Sequence, residues 1–99
     1  MFDDNLRMGT SEQLEEDVSV VDDVSNAAKL IVYNDDINTF DWVIESFIKI
    51  CRHSLAQAEQ LSYIIHFKGK ATVKTGSRYE LRPLKNALID RGLSAVLEE

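Results

Sequence analysis

Three consecutive acceptor side chains, Asn34, Asp35 and Asp36, follow a β-branched run, and two imidazoles, His53 and His66, and one thiol, Cys51, complete the residues that could do chemistry. Such a set could hold a metal, work as a catalytic carboxylate pair, or accept hydrogen bonds from a cationic group. Adjacent carboxylates are poor joint metal ligands unless other chelators converge on them. The two imidazoles are too far apart for the i, i+4 pair of a zinc enzyme, and a lone cysteine cannot complete a structural zinc site. A hydrolase is no better supported: there is no G-x-S-x-G elbow and no Gly-rich phosphate loop in a chain with four glycines. Acceptors for a cation remain, beside the plain alternative that Asn34, Asp35 and Asp36 only cap their own loop. Cys51 is expected to be a small buried hydrophobe.

The elements that must position these residues are legible from residue 29 onward. Lys29 to Asn34 is a β-branched and aromatic run that predicts a strand, ended by a polar loop through Asn38. Phe40, Val43, Ile44, Phe47, Ile48 and Cys51 then recur at helical spacing, with Asn38 or Thr39 as N-cap. Ser54 and Gln57 form a capping box before Leu55, Ala58, Leu61, Ile64 and Ile65, and Gly69 is placed to end that helix. This puts His53 in a hairpin turn and His66 late on the second helix. Ala71 to Thr75 alternates as a second strand. Ser77 and Glu80 make another capping box before Leu81, Leu84, Leu88 and Ile89, although Pro83 predicts a start nearer Glu80 than the box implies. Gly92 stops this helix, and Leu93 to Leu97 is a third strand. The order β-α-α-β-α-β predicts an α+β domain, a small three-stranded, largely antiparallel sheet covered on one face by helices.

Charge divides the chain at the same place. Residues 1–28 hold eight carboxylates against the single Arg7, whereas residues 29–99 carry nine acids and ten bases, for a total of -6. The first segment has few apolar residues and no aromatic after Phe2, too little to offset backbone ordering at roughly 1–2 kcal/mol per residue. It reads as a flexible acidic N-terminal extension preceding a core domain of residues 29–99. Without clustered Lys and Arg a nucleic-acid partner is not expected. Nor is a membrane partner, since no apolar run approaches the ~20 residues of a bilayer span. The lone cysteine and the lack of a signal-peptide pattern point to the cytoplasm.

The run Tyr33-Asn34-Asp35-Asp36-Ile37-Asn38-Thr39-Phe40-Asp41-Trp42-Val43-Ile44, followed two helices later by Ile65-His66-Phe67-Lys68-Gly69-Lys70-Ala71, resembles the ClpS family of adaptors for the ATP-dependent Clp protease. The resemblance covers residues 29–99 in order. It implies a monomeric, non-enzymatic adaptor, without cofactor or metal, that binds proteins beginning with Leu, Phe, Tyr or Trp. Such proteins would be delivered to a Clp AAA+ unfoldase through the unfoldase's N-terminal domain.

By the same resemblance Asn34, Asp35 and His66 would hold the α-amino group, while Asp36, Asn38 and Thr39 shape the loop. Ile37, Phe40, Val43, Ser62, Ile65 and Leu93 would wall a hydrophobic pocket. Glu80 and Lys85 would dock on the unfoldase, and the acidic extension would engage it during delivery. Many members carry Met where this chain has Phe40 and Ser62, and Thr where it has Asn38, so a pocket of different size is expected here. Two other readings compete: a non-catalytic interaction module of the same fold, like the C-terminal domain of the ribosomal stalk protein, and a small hydrolase using Asp35, Asp36 and His66.

Overall fold

The computed structural model describes residues 27–99, and they adopt the order β-α-α-β-α-β: β1 (Ala27–Tyr33), α1 (Phe40–Cys51), α2 (Leu55–Lys68), β2 (Lys70–Ser77), α3 (Arg78–Asp90) and β3 (Ser94–Glu98). Nearly all of the expected acidic extension therefore lies outside the described residues. Its last two residues belong to β1, where Ala27 pairs with Ser77 and Ala28 with Gly76, and Ala28 is buried. Cross-strand pairing carries the strand past the point where β-branched side chains run out.

The strand order is β2-β1-β3, and β1 pairs antiparallel with both neighbours. Alternation along β1 points Ala28, Leu30 and Val32 at the helices, which cover one face of the sheet. Leu30, Phe47, Leu81 and Leu88 are fully buried there, each contributing roughly 1.5–3 kcal/mol relative to exposure. Pairing jumps from Leu30↔Lys74 to Ile31↔Thr72, so Val73 is an extra residue in β2. Its carbonyl accepts a 2.7 Å hydrogen bond from His53 Nε2, which makes that imidazole a clamp on the sheet. Cys51 is a buried free thiol, and burial pushes its pKa up, with Lys74 opposing the shift.

Both capping boxes form. Gln57 N–H donates to Ser54 Oγ at 3.2 Å, and Glu80 N–H donates to Ser77 Oγ at 3.0 Å. Pro83 does not delay α3, which begins at Arg78. The carbonyl that Pro83 cannot satisfy belongs to Tyr79, and both residues are exposed, so water can take it. Arg52 ends α1 at φ 63°, in a left-handed conformation that nothing in the sequence announces.

The end of α3 matters most for the site. Gly92 takes φ +92°, Gly92 N–H donates to Ile89 O at 2.8 Å, and Leu93 N–H donates to Leu88 O at 3.0 Å. This Schellman closure brings Leu93 back against the core beside Leu88, both of them buried.

Candidate ligand-binding cavity between the first loop and the second helix

The loop from Asn34 to Thr39 is organised by one carboxylate. Asp35 Oδ1 accepts from the backbone N–H groups of Ile37 and Asn38, both at 3.0 Å, and the Asn38 side-chain amide donates to Asp35 Oδ2, also at 3.0 Å. The same amide donates to Gly92 O at 2.9 Å, tying the loop to the α3–β3 turn. Burial alone would raise the Asp35 pKa, but the hydrogen bonds from Asn38 and Ile37 outweigh it and hold the carboxyl below its usual range. Thr39 Oγ1 accepts from Trp42 N–H at 3.1 Å, capping α1.

A second clip lies beside this one. Trp42 Nε1 donates to Arg91 O at 2.9 Å, and the Arg91 guanidinium stacks 4.0 Å above the Trp42 ring. Arg91 Nε donates to Ser46 Oγ at 2.7 Å, while Ser46 Oγ itself donates to Trp42 O at 2.7 Å. Glu45 lies 3.6 Å from Arg91 and 2.7 Å from Lys49, and mainly the Lys49 hydrogen bond lowers its pKa. The first turns of α1 are thus fastened to the end of α3.

Between these fastened elements and α2 opens a cavity of about 300 Å³, within the range that holds small ligands. Its mouth is polar: Asn34, Asp35, Asp36, Asn38 and His66. Its buried floor is Val32, Ser62, Ile65 and Leu93, with Tyr33, Phe40 and Val43 as walls. Among the described residues, no lysine or arginine lines it. The Phe40 ring meets Tyr63 at 5.0 Å and His66 edge-on at 6.5 Å, and Phe67 in turn packs 5.0 Å from His66. An aromatic wall therefore holds the imidazole at the rim.

Most of the residues expected at a site are brought together here, with two differences. Ile37, expected as a pocket wall, is 89% exposed and does not line the cavity, because the turn closed on Asp35 leaves it at the outer edge of the loop. Asp35, expected to hold an α-amino group, makes loop-shaping hydrogen bonds, whereas Asp36, expected to shape the loop, makes none among the described residues. Among the described residues, the side chains of Asn34, Asp36 and His66 make no hydrogen bond and are left open at the mouth.

Val32 and Tyr33 were not foreseen as lining residues, although the alternation of β1 points Val32 inward and could have revealed it. Glu80 and Lys85 lie on α3 and line no part of the cavity. One Glu80 carboxylate oxygen accepts from Ser77 N–H at 3.3 Å, and its neighbour Tyr79 is 83% exposed.

What this arrangement can do follows from its inventory. It offers hydrogen-bond acceptors and negative charge at the mouth and apolar surface below, which suits a ligand with a cationic end and a bulky apolar body. Among the described residues no group of three or more His, Cys, Asp or Glu could hold a metal, and no helix is long and apolar enough to cross a membrane.

The fold and cavity define a small α+β binding module, and comparison with known proteins narrows this to one family. The family described as "ATP-dependent Clp protease adaptor protein ClpS" matches residues 23–95. A ClpS adapter protein of Streptomyces coelicolor is 35% identical over 69 residues, covering 70% of this chain and 72% of that protein. One from Mycobacterium tuberculosis is 32% identical over 91 residues, covering 92% and 88%. In fold, the chain is similar to Agrobacterium tumefaciens ClpS2, solved bound to L-phenylalaninamide, with TM-score 0.63, 19% identity, and coverage of 74% of this chain and 95% of that one. The chain belongs to the ClpS family of Clp protease adaptors.

Proposed function

We propose that the cavity captures the free N-terminal residue of a protein destined for the Clp protease, with the α-ammonium at the mouth and a bulky hydrophobic side chain inside. The observation that carries this reading is the pairing of open acceptors with an apolar floor. Asn34 Oδ1, the Asp36 carboxylate and a His66 ring nitrogen are three acceptors, and an ammonium has three N–H donors. Asp35 adds a fixed negative charge behind them. Each charge-assisted bond is worth roughly 1.5–3 kcal/mol. Burying a Leu or Phe side chain contributes a similar amount, so after the cost of ordering the chain an affinity near micromolar is expected. The ligand of the Agrobacterium protein supports the reading, being a phenylalanine with a free amine and a capped carboxyl, the shape of a peptide's first residue.

On this reading the chain needs no catalytic step. It acts in the cytoplasm as a monomer, alongside a Clp AAA+ unfoldase to which it passes its cargo. The α3 surface around Glu80 and Lys85 docks on the unfoldase's N-terminal domain, and residues 1–28 assist delivery. Titration with labelled peptides tests the central claim. Peptides starting with free Phe or Leu should bind, whereas their acetylated forms and peptides starting with Ala should bind at least tenfold more weakly. Equal affinity for all of these would overturn it.

A further inference from the structure

Ser62 is 2% exposed, lines the floor of the cavity, and its Oγ has no hydrogen-bond partner among the described residues. A serine inside a helix usually satisfies its hydroxyl on the carbonyl one turn back, and Ser46 does so, donating to Trp42 O at 2.7 Å. Ser62 makes no such bond to Ala58 and leaves its hydroxyl unpaired, which a buried group seldom does without a reason. The other buried residues of the floor are Val32, Ile65 and Leu93. Ser62 is therefore the single residue of that buried floor with a polar side chain.

We propose that this hydroxyl is a specificity element that reads the far end of the captured side chain and favours an N-terminal tyrosine over phenylalanine. The inference rests on the amine-capture reading above, because anchoring the ammonium at the mouth is what sends the ring's para position toward the floor. A phenol both donates and accepts, so it can pair with Ser62 Oγ whichever way either hydroxyl turns. In a wholly apolar floor the phenol would give up its bonds to water for nothing, and tyrosine would lose to phenylalanine. Here phenylalanine leaves the serine unpaired and tyrosine does not. Sites with a buried hydrogen-bonding group penalise the analogue that lacks the matching hydroxyl.

The test is a matched pair of peptides, one starting with free Tyr and one with free Phe, titrated into the wild-type chain and into Ser62→Ala and Ser62→Thr. In wild type the Tyr peptide should bind about tenfold more tightly, a difference of about 1.4 kcal/mol. Ser62→Ala should reduce the ratio to about one or reverse it, while Ser62→Thr, which keeps the hydroxyl, should retain a preference for Tyr. Thermal melting should show Ser62→Ala at least as stable as wild type, since it removes an unpaired buried polar atom. If the Phe peptide binds in an amine-dependent way but the Tyr-to-Phe ratio is the same in wild type and Ser62→Ala, the role of Ser62 is overturned and amine capture stands. If acetylation does not weaken either peptide, both readings fall.

Discussion

Asp35 and Ser62 belong to the same cavity and treat their hydrogen-bonding capacity in opposite ways. At the mouth, Asp35 is taken up by the Ile37 and Asn38 N–H groups and the Asn38 amide. On the floor, Ser62 Oγ is enclosed with no partner among the described residues. A polar group satisfied from within the chain holds geometry, whereas one left open is available to whatever enters. The mouth contains both kinds side by side, since among the described residues Asn34, Asp36 and His66 have no side-chain partner and Asp35 has. Two adjacent aspartates thus differ: one builds the loop, and the other is the one we propose to face the ligand.

Substitution of the two aspartates would break this contrast most sharply. Asp35→Ala removes the acceptor of two backbone N–H groups and of one Asn38 amide N–H, and with the exposed Ile37 N–H open to water it should cost about 1–2 kcal/mol in urea unfolding. It should also abolish measurable peptide binding. Asp36→Ala and His66→Ala remove exposed groups with no bond within the described residues, so stability should stay within about 0.5 kcal/mol. Binding of the free-amine peptide should still fall roughly tenfold to a hundredfold for each. Equal loss of stability in Asp35→Ala and Asp36→Ala would show that the division of duties is wrong.

A smaller effect is expected where the loop's supports are loosened from a distance. Trp42→Phe deletes the indole donor to Arg91 O while keeping an aromatic face under the guanidinium. It should cost about 1 kcal/mol, one neutral hydrogen bond, and weaken peptide binding only a few-fold. Because Leu93 follows directly on that turn, the loss should fall on peptides with large side chains and spare the amine dependence. A Trp42→Phe variant that binds acetylated and free peptides equally would mean that the clip orients the acceptors themselves.

The sequence carried most of the fold and part of this site, and the division has a physical cause. Local chemistry is readable: two capping boxes at Ser54–Gln57 and Ser77–Glu80, the helical stripe from Phe40 to Cys51, and glycines with positive φ at residues 69 and 92 all fall where expected. Tertiary chemistry is not. Nothing local distinguishes Asp35 from Asp36, since only the direction of the turn decides which carboxylate meets the backbone N–H groups. The Trp42–Arg91 clip joins residues 49 apart and has no pattern to announce it. Ser62 looked like a pocket wall by resemblance, but that its hydroxyl lacks a partner depends on how α2 packs against α1 and β2. On α2 itself Ala58 and Ile65 of the expected stripe are buried, Leu61 and Ile64 are half-buried against the core, Leu55 is 58% exposed, and Ser62, outside that stripe, is buried.

Acid offers the gentlest test of the loop-building role of Asp35. The folded-state pKa of Asp35 is lowered from 3.8, so its contribution to stability is fully present above its unfolded value and is lost as pH falls through the lower folded value. The unfolding midpoint of the wild-type chain should therefore hold steady from neutrality to about pH 4, as far as Asp35 governs it, and decline below. Other carboxylates titrate in the same range, so the informative quantity is the difference between wild type and Asp35→Asn. That variant cannot ionise, and the two curves should converge as pH drops below about 4, because protonation removes from the wild type the charge that the variant never had. Curves that stay a constant distance apart through this range would show that the charge on Asp35 does not hold the loop.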